Sequence, residues 1–241
     1  METPRDPLVY TQVIASTPCP QEVCYLAMHQ DYASEPAHYH EHKYSEAQFG
    51  EIVVKKCAKF GHWGVLEHPQ ITFNACYYPH SVISQARTHR VGISFDCQSF
   101  RYTSESLTSV DSPYDVEKAI YLRPVGLYTD RKGHKYYYTA EDREADLIRA
   151  YENIQVYKAK IAKGHSEEHA RGGVCYDLRQ HFVMSVNLRS ALHFLDLRHK
   201  KDAQLEIQWF ADDVFQAVKA WCPEIVGYYE ENRLNKAKLA P

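Results

Sequence analysis

The chain lacks the cysteine pattern of a secreted or zinc-bound protein. Its seven cysteines are an odd number, with no CxxC pair and no regular spacing. They read as free thiols in a reducing compartment. A basic excess is also absent. Lys and Arg number 28 against 31 Asp and Glu, for a net charge of −3 and a pI near 6.5, which argues against non-specific nucleic-acid binding. No segment approaches the ~20 apolar residues that span a bilayer, so no membrane association is expected. Met1-Glu2-Thr3-Pro4-Arg5-Asp6 opens no apolar run of signal-peptide length, and a cytoplasmic protein is expected. There is no internal repeat, low-complexity tract or long Gly/Ser linker, so 1–241 reads as a single domain. No GxGxxG follows any strand, which argues against a dinucleotide-binding fold of that type.

What is present is ordinary globular composition, 44% hydrophobic and 24% charged, with enough length to bury a core without disulfides. The 19 tyrosines read mostly as half-buried strand residues. Residues 1–30 predict a strand and a short helix, and 34–44 a polar loop. Ser45 and Gln48 form a capping box for a helix over 46–60, with Phe49, Ile52, Val53, Cys57 and Phe60 on one face and Gly61 closing it. Ile71, Phe73, Ala75 and Tyr77 alternate along a strand over 70–77. Pro79-His80-Ser81 opens a helix that buries Val82, Ile83 and Ala86. Strands are predicted over 118–123 and 134–139 around the turn Asp130-Arg131-Lys132-Gly133. Thr139 with Asp142 caps a helix over 140–163 that ends at Gly164. Ser166 caps a short helix carrying Arg171, and a strand covers 178–186. Helices over 188–199 and 203–221 follow, with Pro223 ending the second, and the basic tail from Asn232 frays. This order predicts an α+β fold with a mostly antiparallel central sheet flanked by helices.

Positive charge is concentrated locally. Gln85-Ala86-Arg87-Thr88-His89-Arg90 is followed by Ser99-Phe100-Arg101-Tyr102. Crowded cations imply an anion among them, and guanidinium forks with a Ser hydroxyl suit a phosphate. A solvated basic helix end explains Arg-Thr-His-Arg alone, but not the polar residues on both sides of it. A second cluster, Asn187-Leu188-Arg189-Ser190 with His193, Leu197 and Arg198, lies at a strand-to-helix junction, where anions are attracted. Its leucines are core. Asp196, Asp202 or Glu206 could pair its arginines in a structural salt-bridge helix, but that does not explain an Asn, a His and two Arg clustered at the junction. His38-Tyr39-His40-Glu41-His42 has the residue types for zinc but no further ligands at metal spacing, and no metal is expected. Gly61-His62-Trp63-Gly64-Val65-Leu66-Glu67-His68 is a Gly-bearing loop able to flank a planar ring, or an ordinary connection.

Together these motifs resemble the flavin-dependent thymidylate synthases, whose Arg-His-Arg run precedes a Ser by seven or eight residues. The resemblance covers about 20–230, is similar to the cyanobacterial and phage branch, and continues through Asn187-Leu188-Arg189-Ser190 and Leu197-Arg198 into Asp202-Ala203-Gln204 and Glu206-Ile207. It implies methylation of dUMP at C5, with methylene-tetrahydrofolate as carbon donor, FAD as cofactor and NADPH as reductant. It implies that Arg198 is catalytic, holding the uracil ring and favouring its N3-ionised form. The dUMP set would be Gln85, Arg87, Thr88, Cys97, Gln98, Ser99, Phe100, Arg101, Arg171 and Arg198. The flavin set would be His62, Glu67, Thr88, His89, Arg90, Asn187, Arg189, His193 and Leu197. It further implies a homotetramer with active sites shared between subunits.

The chain departs from the family at Thr88, where the first Arg of the run is usual, and at Cys97 and His193, where Glu and Asn are common. Eight residues rather than the commoner seven separate Arg90 from Ser99. No Pro-Cys-His setting of a thiol-dependent thymidylate synthase is present. Two other readings remain open at this level. One is a non-catalytic nucleotide- or RNA-binding protein that stacks bases on its tyrosines. The other is a thiol-dependent nucleotide enzyme using Cys97.

Overall fold

The structure, a computed structural model, describes residues 4–39, 43–130 and 132–236. In chain order its elements are β1 (Tyr10–Ser16), α1 (Pro20–Gln30), α2 (Glu46–Lys56), β2 (Gln70–Pro79), α3 (His80–Ala86), β3 (Ile93–Cys97), α4 (Glu105–Thr108), β4 (Gly126–Thr129), β5 (Lys135–Tyr138), α5 (Ala140–Ala162), α6 (Glu167–Ala170), β6 (Arg179–Asn187), α7 (Leu188–Arg198), α8 (Leu205–Trp221) and α9 (Pro223–Asn232). Short 3-10 turns join several of them. One sheet has the order β1-β2-β6-β3, and β4 and β5 form an antiparallel hairpin. The class is α+β with an antiparallel sheet, as expected.

The residues group into two compact units. The first comprises the described residues of 4–10, 75–87 and 96–182. Its core joins Phe100, Leu107, Val116, Ile120, Ile154 and Tyr157. The buried Arg179 donates to Asp6 at 2.6 Å, to the Glu117 carbonyl at 2.6 Å and to the Tyr77 carbonyl at 3.1 Å. Each polar edge of that guanidinium is therefore paired, as burial of a charge requires.

The second unit comprises the described residues of 11–74, 88–95 and 183–236. Here α2 packs on α1 and α9, and α7 on α8. Helix α8 buries Ile207, Phe210, Ala211, Val214 and Val218, the spacing of one helical face. The Tyr229 hydroxyl donates to Asp196 at 2.8 Å, and Arg233 donates to the same carboxylate at 3.1 Å, pinning α9 to α7.

Several boundaries differ from the sequence reading, each for a physical reason. Helix α2 stops at Lys56 and tightens into a 3-10 turn over Ala58–Phe60. Phe60 is exposed. Gly61, at φ 78°, is the left-handed cap expected. In β2 the alternation breaks at Tyr77, which adopts φ 61°. That left-handed residue flips the pleat, so Cys76 and Tyr78 are buried and Tyr77 is not. The strand predicted over 118–123 is a single bridge, Ile120 to Leu178. Pro113 opens a 3-10 turn through Lys118, Pro124 removes a ladder donor, and strand pairing begins only at Gly126. Pro223 does end α8, but it also starts α9 as its first residue, a helix the sequence reading missed. The capping boxes at Ser45 and Thr139 are present as expected.

Candidate functional site

In the second unit, β6 runs into α7 through Asn187. Its side chain accepts from the Ser190 amide at 2.8 Å and so caps the helix. The Asn187 amide donates to the Gly92 carbonyl at 3.1 Å, which fixes the loop after Arg90 against the start of α7. Gly92 has φ 65°, and a Cβ there would run into the Asn187 amide and the Ser190 hydroxyl. The short loop from Thr88 to Gly92 is thus pressed onto α7.

That juxtaposition builds a cavity of about 500 Å³, within the usual range for a small-molecule site. Arg90, Arg189 and Arg198 line it together with Glu67, Thr88 and His89. Val91, Ser190, His193 and Leu197 complete the wall. His89 is buried against Phe194, with ring centroids 5.1 Å apart, and lies 5.5 Å from the His193 ring. Arg198 Nε donates to His89 Nε2 at 3.0 Å, and its Nη2 donates to the Thr88 hydroxyl at 2.9 Å. Accepting that bond requires His89 to be neutral, with its proton on Nδ1. Burial first, then the Arg198 and His193 charges, pushes the His89 pKa down to about 4. Burial also lowers that of Arg198. Arg189 pairs with Glu67 at 2.6 Å. Asp196, one of the acidic residues the sequence offers to these arginines, accepts from Tyr229 and Arg233.

The cavity suits a planar, anionic heteroaromatic. Three guanidinium groups outnumber one carboxylate on its wall, and Val91 and Leu197 supply apolar surface. His193 Nδ1 is buried with no hydrogen-bond partner among the described residues, so this wall carries an unsatisfied polar atom. A flavin has matching acceptors and an apolar ring face, and the residues present fit it.

In the first unit, β3 ends at Cys97 and the chain turns tightly at Ser99. The Tyr102 amide and the Thr103 hydroxyl both donate to the Ser99 carbonyl at 3.0 Å. Arg101 pairs with Glu168 at 2.5 Å, both about half exposed. Such a pair contributes at most about 1 kcal/mol, so a phosphate can displace the carboxylate. Phe100 turns into the core, which removes its side chain from any ligand-facing role. Cys97 donates to Gln180 Oε1 at 3.4 Å. Burial raises its thiol pKa, with Arg87 opposing. A thiol held in its protonated form is a poor nucleophile, against the thiol-dependent reading. Gln85 lies on the last turn of α3, Arg87 caps that helix, and Arg171 caps α6.

The structure thus gathers Glu67, Thr88, His89, Arg90, Arg189, His193, Leu197 and Arg198 at one cavity. Two residues of the expected flavin set lie elsewhere. Asn187 is buried as the α7 cap, and His62 lines a separate cavity with Asp31, Tyr32, Cys57 and His68. Val91 and Ser190 belong to the wall and were missed. The signal for both was adjacency, since each directly follows a motif arginine. Of the His-rich loop, His40, Glu41 and His42 lie outside the described residues. Among the described residues no cluster of three or more His, Cys, Asp or Glu could hold a metal, and no helix is long and apolar enough to cross a membrane.

The sequence model of the family described as thymidylate synthase complementing protein matches residues 12–224. The chain is 30% identical over 200 residues to a flavin-dependent thymidylate synthase of Haloarcula marismortui, covering 79% of this chain and 80% of that one. It is 32% identical over 191 residues to the enzyme of that name from Halobacterium salinarum, covering 75% and 76%. Among solved structures, it superposes with TM-score 0.70 on the flavin-dependent thymidylate synthase ThyX of Helicobacter pylori complexed with FAD and dUMP. That match has 18% identity and covers 90% of this chain and 97% of that one. It superposes with TM-score 0.74 on the UMP/dUMP methylase PolB of Streptomyces cacaoi, at 20% identity, covering 92% and 95%. At those identities the structural matches establish the fold.

Proposed function

The chain belongs to the family of thymidylate synthase complementing proteins, and on that premise we propose that it is a flavin-dependent thymidylate synthase. It methylates dUMP at C5 to give dTMP, with methylene-tetrahydrofolate as carbon donor, FAD as cofactor and NADPH as reductant. The observation that carries this reading is the Arg198–His89 pair on the wall of a cationic cavity.

Arg198 is the residue assigned to the uracil ring. A half-buried guanidinium, oriented by His89 and Thr88, stabilises negative charge developing on the pyrimidine without reorganising. His89 can act as its acceptor only while neutral, and its depressed pKa secures that. Arg90, Arg189, His193, Leu197, Glu67 and Thr88 would hold the flavin, with Asn187 supporting them through its cap and His62 contributing from its own loop. When bound, FAD supplies the redox chemistry that converts the transferred carbon to a methyl group. Gln85, Arg87, Thr88, Cys97, Gln98 and Ser99 would hold dUMP, with Phe100 contributing only backbone. Arg101 and Arg171 would take its phosphate, as bidentate donors do. No protein nucleophile is assigned, in keeping with the protonated Cys97.

The active enzyme is a cytoplasmic homotetramer with active sites shared between subunits. The test is product formation. With dUMP, methylene-tetrahydrofolate and NADPH, dTMP appears on chromatography only when FAD is present. Production of dTMP without FAD, or none with it, overturns the assignment.

A further inference from the structure

We propose that Gln180 is a positioning residue that sets the dUMP-binding turn at Ser99. The inference rests on the reading above and assigns a role to a residue outside its motifs. Gln180 lies on β6 and is 4% exposed. A buried amide is costly unless its polar atoms are paired, and both ends of this one are. Its Oε1 accepts from His80 Nδ1 at 2.7 Å and from the Cys97 thiol at 3.4 Å. Its Nε2 donates to the Gln98 carbonyl at 3.4 Å.

The partners are what distinguish it. His80 is the first residue of α3, the helix whose last turn carries Gln85. Cys97 and Gln98 lead directly into Ser99. One amide therefore ties the helix bearing Gln85 to the segment bearing Ser99 and Arg101. The neighbouring His181 doubles the second tie. Its carbonyl accepts from the Gln98 amide at 2.9 Å, and its amide donates to Gln98 Oε1 at 3.3 Å. Arg179, one residue earlier, is also buried, but its bonds to Asp6, Glu117 and Tyr77 serve the frame of the unit. An unbranched apolar side chain of similar size would fill the space of Gln180. Packing therefore does not explain an amide here, whereas setting the Ser99 turn does.

The test uses the full-length, flavin-loaded protein and the variant Gln180→Met. The proposal expects unchanged flavin absorbance and a KM for dUMP raised about tenfold, with kcat changed much less. A merely structural residue would lower Tm and flavin content without moving KM selectively. A folded Gln180→Met protein with unchanged KM overturns the proposal. If that variant does not fold, His80→Phe decides. It removes one donor to Gln180 from a half-buried helix start, and a raised KM supports the proposal while an unchanged one overturns it. Wild-type protein that neither binds nor turns over dUMP overturns the underlying reading and the proposal together.

Discussion

Arg198 and His89 constrain each other's chemistry. The guanidinium needs the imidazole as an acceptor, and the imidazole stays neutral partly because the guanidinium is there. Arg198→Ala is expected to lower kcat by a factor of about 10² to 10³, the usual cost of one preorganised charge-stabilising donor, with Tm little changed. Near-normal turnover by a folded variant would refute its role. His89 also predicts a pH dependence of stability. Its pKa falls from 6.5 to about 4 in the fold, so below pH 6.5 the unfolded chain takes up a proton that the native chain refuses. This histidine costs no stability above pH 6.5. Between pH 6.5 and 4 it removes stability at up to about 1.4 kcal/mol per pH unit. Thermal melts of His89→Asn across that range should show a shallower acid loss than wild type, and parallel curves would contradict the assignment.

At the scale of elements, the Thr88–Gly92 loop and the start of α7 behave as one piece. Gly92→Ala combines an unfavourable φ with a collision against Asn187 and Ser190. It is expected to cost about 2 kcal/mol or more and to lower flavin occupancy, read by Tm and by flavin absorbance after gel filtration. Retention of both would mean that the loop does not shape the cavity. The helices with side-chain caps were legible in the sequence because a cap is a local event. Ser45 with Gln48, Thr139 with Asp142, and Ser166 all announce their helices within a few residues. Helix α9 was not legible, because Pro223 carries both a stop and a start signal and tertiary bonds from Asp196 decide between them. The twist at Tyr77 was hidden for a related reason. A left-handed tyrosine is disfavoured locally, and its amide is held by His181 Nδ1 at 3.4 Å, far along the chain. In the site, the motif residues were legible by type and spacing, whereas Asn187 as a cap, Phe100 as core and Gln180 as a clamp depend on contacts that only folding creates.

For the whole molecule, the residues assigned to dUMP lie mostly in the first unit and those assigned to flavin mostly in the second. If sites are shared between subunits, two impaired variants can complement each other. Arg101→Ala and Arg198→Ala, each severely impaired alone, should regain a fraction of wild-type activity when unfolded together and reassembled. No recovery in verified mixed oligomers would place each complete site within one chain. The modest net charge of −3 is consistent with an enzyme that concentrates cations at its site rather than over its surface.

The most direct measurement is tritium release from dUMP labelled at C5. Replacing that hydrogen with a methyl group must free the label. Release that requires methylene-tetrahydrofolate, FAD and NADPH together, and falls at least about a hundredfold in Arg198→Ala, is the predicted result. Release that proceeds at full rate without flavin, or persists unchanged without Arg198, would contradict it.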